Sequence, residues 1–151
     1  MKSPTVFTAS QFTPTQWESA EQKAKFANQF VRLIERGFQQ SDFPHWFYSR
    51  LANTFGHIAH YDTHGFWAEW FSSTRRQVEF LEHTAQGGGY GDAAWTYCDV
   101  ERAIKTWLEE NPQFKAALVE RRDNAVEIAE RAELARLTAK YKNIPEFRLA
   151  A

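Results

Sequence analysis

Apolar positions recur at spacings of three and four through most of the chain, and that period is the signature of helices with one buried face. From Trp17 the series Trp17, Ala20, Ala24, Ala27, Val31, Ile34 and Phe38 holds the spacing, while Phe26, Phe30 and Leu33 widen the stripe. The segment "TPTQWE" precedes it, with Pro14 suited to a first helical turn. Thr13 with Gln16, or Thr15 with Glu18, has capping-box spacing, so the pattern predicts that the first helix starts there. Gly37 and "QQSDFP" close it, and Ser41 or Asp42 is the expected cap of a second helix carrying Phe43, Phe47, Leu51, Phe55 and Ile58.

"YDTHG" breaks that helix, and the short aromatic run "FWAEWF" follows. Thr74 with Gln77 opens a further helix along Val78, Leu81 and Ala85, which ends at a Gly-rich hinge over 86–92. Asp92 is the expected cap of the next, whose apolar residues are Trp95, Cys98, Val100, Ile104, Trp107 and Leu108. Asn111 and Pro112 then start the longest segment, a helix over 112–142 without an internal Gly or Pro. At ~1.5 Å per residue it reaches about 45 Å, longer than one core helix of so small a protein needs. It is expected to project, to pair with a partner or to cap the whole bundle, with a narrow seam of Leu118, Ala125, Ile128, Ala132, Ala135 and Ala139.

No run of β-branched residues alternates with polar ones between turn signals. The predicted fold is therefore all-α: one domain over 1–151, a bundle of five or six helices with an irregular segment at 1–12 and a long C-terminal helix. A length of 151 residues is enough to bury a core without disulfides or metals. Balanced charge, 18 basic against 19 acidic side chains, removes any general attraction to nucleic acid or anionic membrane. Cys98 is the only cysteine, which excludes an internal disulfide and suits a reducing compartment. With no signal-like segment and no apolar run of spanning length, the expected location is cytoplasmic and no membrane is implied.

The stretch "FGHIAHYDTHGFW" raises the question of chemistry, since thirteen residues hold three histidines, an aspartate and four aromatics. His57, His60 and His64 stand at three- and four-residue spacing, which would let imidazoles on one helix flank share a divalent ion such as zinc, with Asp62 or Glu69 completing the shell. A metal-dependent hydrolase is the reading that follows. Against it, the stretch has no His-Glu-x-x-His arrangement to supply a general base, and Gly65 interrupts the helix. A His60–Asp62 or His57–Glu69 acid–base pair needs a pocket, whereas an imidazole held by a carboxylate or carbonyl needs only a turn.

Three other features mimic sites. Cys98, expected in mid-helix on the apolar side, reads as buried and inert, with Arg102 four residues on only a weak activator. "GGGYGD" lacks the Gly-Lys-Ser/Thr ending of a phosphate loop and follows a helix rather than a strand. Arg75, Arg76, Arg121 and Arg122 are small basic clusters, a weak basis for nucleic-acid binding beside their acidic neighbours. The aromatic residues are more telling. Trp46, Phe66, Trp67, Trp70 and Phe71 cover nearly all sides of their segments, so some rings are expected to face a second surface. The functional expectation is a non-catalytic protein-interaction module, regulatory or inhibitory, needing no cofactor. It would bind a protein partner or a second copy through those aromatics with His57, His60 and His64.

Overall fold

Sixteen residues that follow a capping serine form the element around which the rest is built. In the computed structural model, which describes residues 6–55, 62–86 and 91–142, helix α1 spans Ala20–Glu35. Ser19 caps it: its hydroxyl accepts from the Gln22 amide at 3.1 Å, and the Gln22 side chain accepts from the Ser19 amide at 2.8 Å. The predicted start at residues 13–15 is thus displaced. Thr15 instead folds into its own turn, its hydroxyl accepting from the amides of Trp17 and Glu18, which delays the helix by a turn.

Helix α2 spans His45–Phe55, with the Pro44 carbonyl accepting from the Phe47 and Tyr48 amides. Neither Ser41 nor Asp42 caps it. Both lie in a 3-10 turn, Gln40–Asp42, where the buried Asp42 carboxylate meets Arg36 at 2.7 Å and Arg32 at 3.4 Å. Those two arginines also suit the negative end of the α1 dipole. Helix α3, Thr63–Phe66, runs directly into a π turn over Trp67–Phe71. The wider turn lets Phe66 and Phe71 both reach the interior.

Helices α4, Thr74–Gln86, and α5, Cys98–Glu110, pack on each other, and α5 also packs on α1. Helix α6, Gln113–Tyr141, leans on α4 near its start and then leaves the body; Leu118 is its one buried residue. The architecture is all-α, with six helices and no strand among the described residues. None of the described helices is long and apolar enough to cross a membrane.

One hydrophobic cluster holds these parts together. Its centre is aromatic: Phe26, Phe30, Phe47, Phe66 and Phe71 have almost no exposed surface. Phe71 meets Phe80 edge-on at 4.9 Å, and Phe26 meets Phe47 at 5.0 Å. Rings at these separations attract through their quadrupoles beyond the area they bury. The interior thus takes up Phe66 and Phe71, two of the rings expected to face a second surface, beside the phenylalanines whose spacing predicted burial.

Candidate functional site: an exposed tryptophan pair

Of the residues expected to form an aromatic interface, Phe66 and Phe71 are enclosed. Trp46, Trp67 and Trp70 are half-buried and pack against the core cluster. Lys25 lies over the Trp46 ring at 4.4 Å and Arg76 over Trp70 at 4.5 Å, so cationic side chains of the same chain already cover these faces. For the run "GFWAEWF" the physical reason is the π turn over Trp67–Phe71, which brings Phe66 and Phe71 inward.

The predicted metal residues are described only in part. His57 and His60 lie outside the described residues, as does Ile58. His64 is exposed. Asp62 caps α3, its carboxylate accepting from the Gly65 amide at 2.6 Å. Glu69 is paired with Arg76 at 2.5 Å. Both carboxylates are thus occupied by cap and cation, and among the described residues no three His, Cys, Asp or Glu side chains stand where one ion could join them. Most of the expected hinge, residues 87–90, also lies outside the described residues. Arg75 and Arg76 pair with Glu79, and Arg122 pairs with Asp123, so three of the four arginines have an acidic neighbour on the same chain.

Cys98 is the first residue of α5, not a mid-helix residue, because Asp92 organises a turn rather than a helix. Its thiol is buried, within 3.4 Å of the Gly91 carbonyl and of the Arg102 guanidinium.

Among the described residues two aromatics face solvent: Trp17 is 68% exposed and Trp95 60%, with ring centroids 6.0 Å apart at 62°. Periodicity had placed each on a buried helical face. Trp17 instead sits in the Thr15 turn before α1, and Trp95 in the Asp92 turn before α5. In the latter, the Asp92 carbonyl accepts from the amides of Trp95 and Thr96, both at 2.9 Å, and its carboxylate accepts from the Ala94 amide at 2.9 Å. Gly91 enters that turn at φ +96°, where a Cβ would come within 3.1 Å of the Thr96 methyl.

Beneath the indoles lies a polar network that fixes both turns. Lys23 of α1 is fully buried, yet its ammonium donates to the Ala93 carbonyl at 2.8 Å, the Thr96 carbonyl at 2.9 Å and Asp99 at 3.0 Å. Three donors thus meet three acceptors, which is what makes burial of this charge tolerable. The other Asp99 oxygen accepts from the Thr13 amide at 2.9 Å, tying down the chain leading to Trp17. Glu18 binds both Arg50 and the Tyr97 hydroxyl, and the Tyr97 ring stands edge-on to Phe26 at 5.6 Å. The turn carrying Trp95 is therefore bolted to α1 on both sides of the indole.

No spacing rule marks this site in the sequence. The available signal was chemical: "TPTQWESAEQ" and "GDAAWTYCD" each set a tryptophan beside turn and cap residues. Comparison with family models, with curated proteins and with solved structures finds no match for this chain.

Proposed function

We infer that the protein is a non-catalytic interaction module that binds a partner protein through the Trp17–Trp95 pair. The observation carrying this reading is the combination of exposure and rigidity: two solvent-facing indoles whose backbones are held by Lys23, Asp99 and Asp92. Tryptophan is among the residues most enriched at binding hot spots, and a ring ordered before binding loses little entropy on contact. The indoles leave the core cluster intact, so their exposure serves no evident packing need. The proposed surface lies on the turns before α1 and α5, since Phe66 and Phe71 are enclosed.

The test compares the native protein with a Trp17→Ala/Trp95→Ala variant as bait in extract from the source organism. The native chain is expected to retain a stoichiometric partner that the variant loses, while thermal unfolding of the two baits stays within about 3 °C because little buried area is removed. The partner should also shield the indoles of the native chain from acrylamide quenching. Equal recovery of the partner by both baits would reject the assignment.

A further inference from the structure

The long helix carries a second surface, independent of the tryptophan pair. From Glu120 to Lys140 every residue of α6 except the half-buried Arg122 is exposed. At ~100° per residue, Val119, Val126, Leu134 and Leu137 fall on one side of the helix. Val126 is 50% and Leu134 56% exposed. The same sector, about 140° wide by this rotation, also receives Glu120, Asp123, Glu127, Glu130 and Glu133. Between Ala116 and Tyr141 no lysine or arginine falls within it; the arginines stand on its borders and on the far side, which is otherwise rich in alanine.

At its foot this sector opens into a groove of about 640 Å3 where α6 leaves α4 and α5. Leu81, Ala85, Leu108, Ala116 and Val119 line it, so the aliphatic path up the arm begins inside an apolar cleft of the body. We propose that the groove and the acidic, aliphatic side of α6 form one continuous track that takes a basic amphipathic helix of a partner protein. Apolar side chains of the incoming helix would fill the groove and lie over Val126, Leu134 and Leu137, while its lysines or arginines meet the five carboxylates. Border pairs such as Arg131–Glu127 and Arg136–Glu133, both 2.6 Å, are exposed and exchange cheaply for a partner's cations. A second copy is disfavoured as the occupant: two such sides face to face would set carboxylate against carboxylate.

The experiment uses the full chain and a fluorescent synthetic helix of about five turns, leucines at i, i+3, i+4 and i+7 and lysines elsewhere. Anisotropy should report saturable binding that weakens as salt rises. A Glu127→Lys/Glu130→Lys variant and a separate Val126→Ser/Leu137→Ser variant should each lose about tenfold or more in affinity. Circular dichroism should show helix content close to the native chain's, because each lost pair or helix former is worth only a few tenths of a kcal/mol. Replacing the probe's lysines by glutamates should abolish binding, and Trp17→Ala/Trp95→Ala should leave it untouched, which keeps this site's failure distinct from that of the tryptophan pair. The proposal is overturned by no saturable binding, by equal binding of a scrambled probe, or by variants that bind as the native chain does. Light scattering that finds a dimer dissolved by the same substitutions would overturn it too, by making a second copy the occupant.

Discussion

Lys23 shows how one side chain can be both a structural bolt and a condition for function. Its ammonium is shut off from bulk solvent, bonded to Ala93, Thr96 and Asp99 and placed 5.4 Å from the centre of the Tyr97 ring. Lys23→Ala leaves two carbonyls without their donor and Asp99 with only the Thr13 and Val100 amides, so it should cost about 1–3 kcal/mol in urea unfolding. A loss below about 1 kcal/mol would mean the network contributes nothing. Because the same bonds hold the turn around Trp95, a mildly destabilised Lys23→Met variant should also broaden the tryptophan emission. Tyr48 gives a pH counterpart. Burial, aided by the nearby Asp62 carboxylate, raises its phenol above the usual 10.0. The folded state therefore holds this proton at a pH where the unfolded chain releases it, and its contribution to stability is complete below about pH 10 and lost as the solution becomes more alkaline. Tyr48→Phe should flatten that alkaline decline, read from urea midpoints between pH 8 and pH 11.

At the scale of elements, ends were harder to read than faces. The stripe Ala24, Ala27, Val31 and Ile34 is buried as its spacing predicts, and so are Val78 with Leu81 and Ile104 with Leu108. Periodicity succeeds there because burying one side of a helix is a repeated, additive effect. It failed at Trp17 and Trp95, which continue the period arithmetically but lie in turns closed by Thr15 and Asp92. A single side-chain hydrogen bond decides such a boundary, and several residues in each segment had competing claims to it. In the aromatic run at 66–71 a π turn rotates the rings differently from an α-helix, which brings Phe66 and Phe71 inward and leaves Trp67 and Trp70 half-buried. The end of α1 was better marked. Gly37 at φ +75° and Phe38 at φ +60° complete a Schellman cap, with bonds from Phe38 N–H to Leu33 O at 2.8 Å and from Gly37 N–H to Ile34 O at 3.1 Å. Phe38 tolerates the left-handed backbone because its ring is buried against Phe71 at 4.9 Å. Nothing lies within 4 Å of a Cβ built on Gly37. Gly37→Ala should thus cost backbone strain alone, about 1–2 kcal/mol, and Gly37→Asn clearly less. Equal losses for the two in chemical denaturation would point to crowding instead.

For the molecule as a whole, the division between body and arm has thermodynamic consequences. The body's stability rests on the aromatic cluster, to which α6 contributes Leu118 along with partly buried Phe114 and Val119. From Ala125 to Lys142 no residue is buried. A chain ending at Asn124 should therefore unfold within about 1 kcal/mol of the full chain, a shift of no more than about 4 °C. Calorimetry is the direct check, and a fall beyond about 10 °C would mean that the distal turns brace the body. The arm itself survives on local terms. Good helix formers and pairs such as Glu127–Arg131 favour the helix, yet each adds only a few tenths of a kcal/mol, so the distal turns should open far more readily than α1 or α5. Amide exchange should accordingly be fast beyond Asn124 and slow around Phe26, Phe30 and Ile104, because opening the latter exposes the core. A bound basic helix would reverse that contrast on α6 by coupling its opening to loss of the partner. Protection rising along Val126–Leu137 upon binding, with α1 unchanged, would map the track without any substitution.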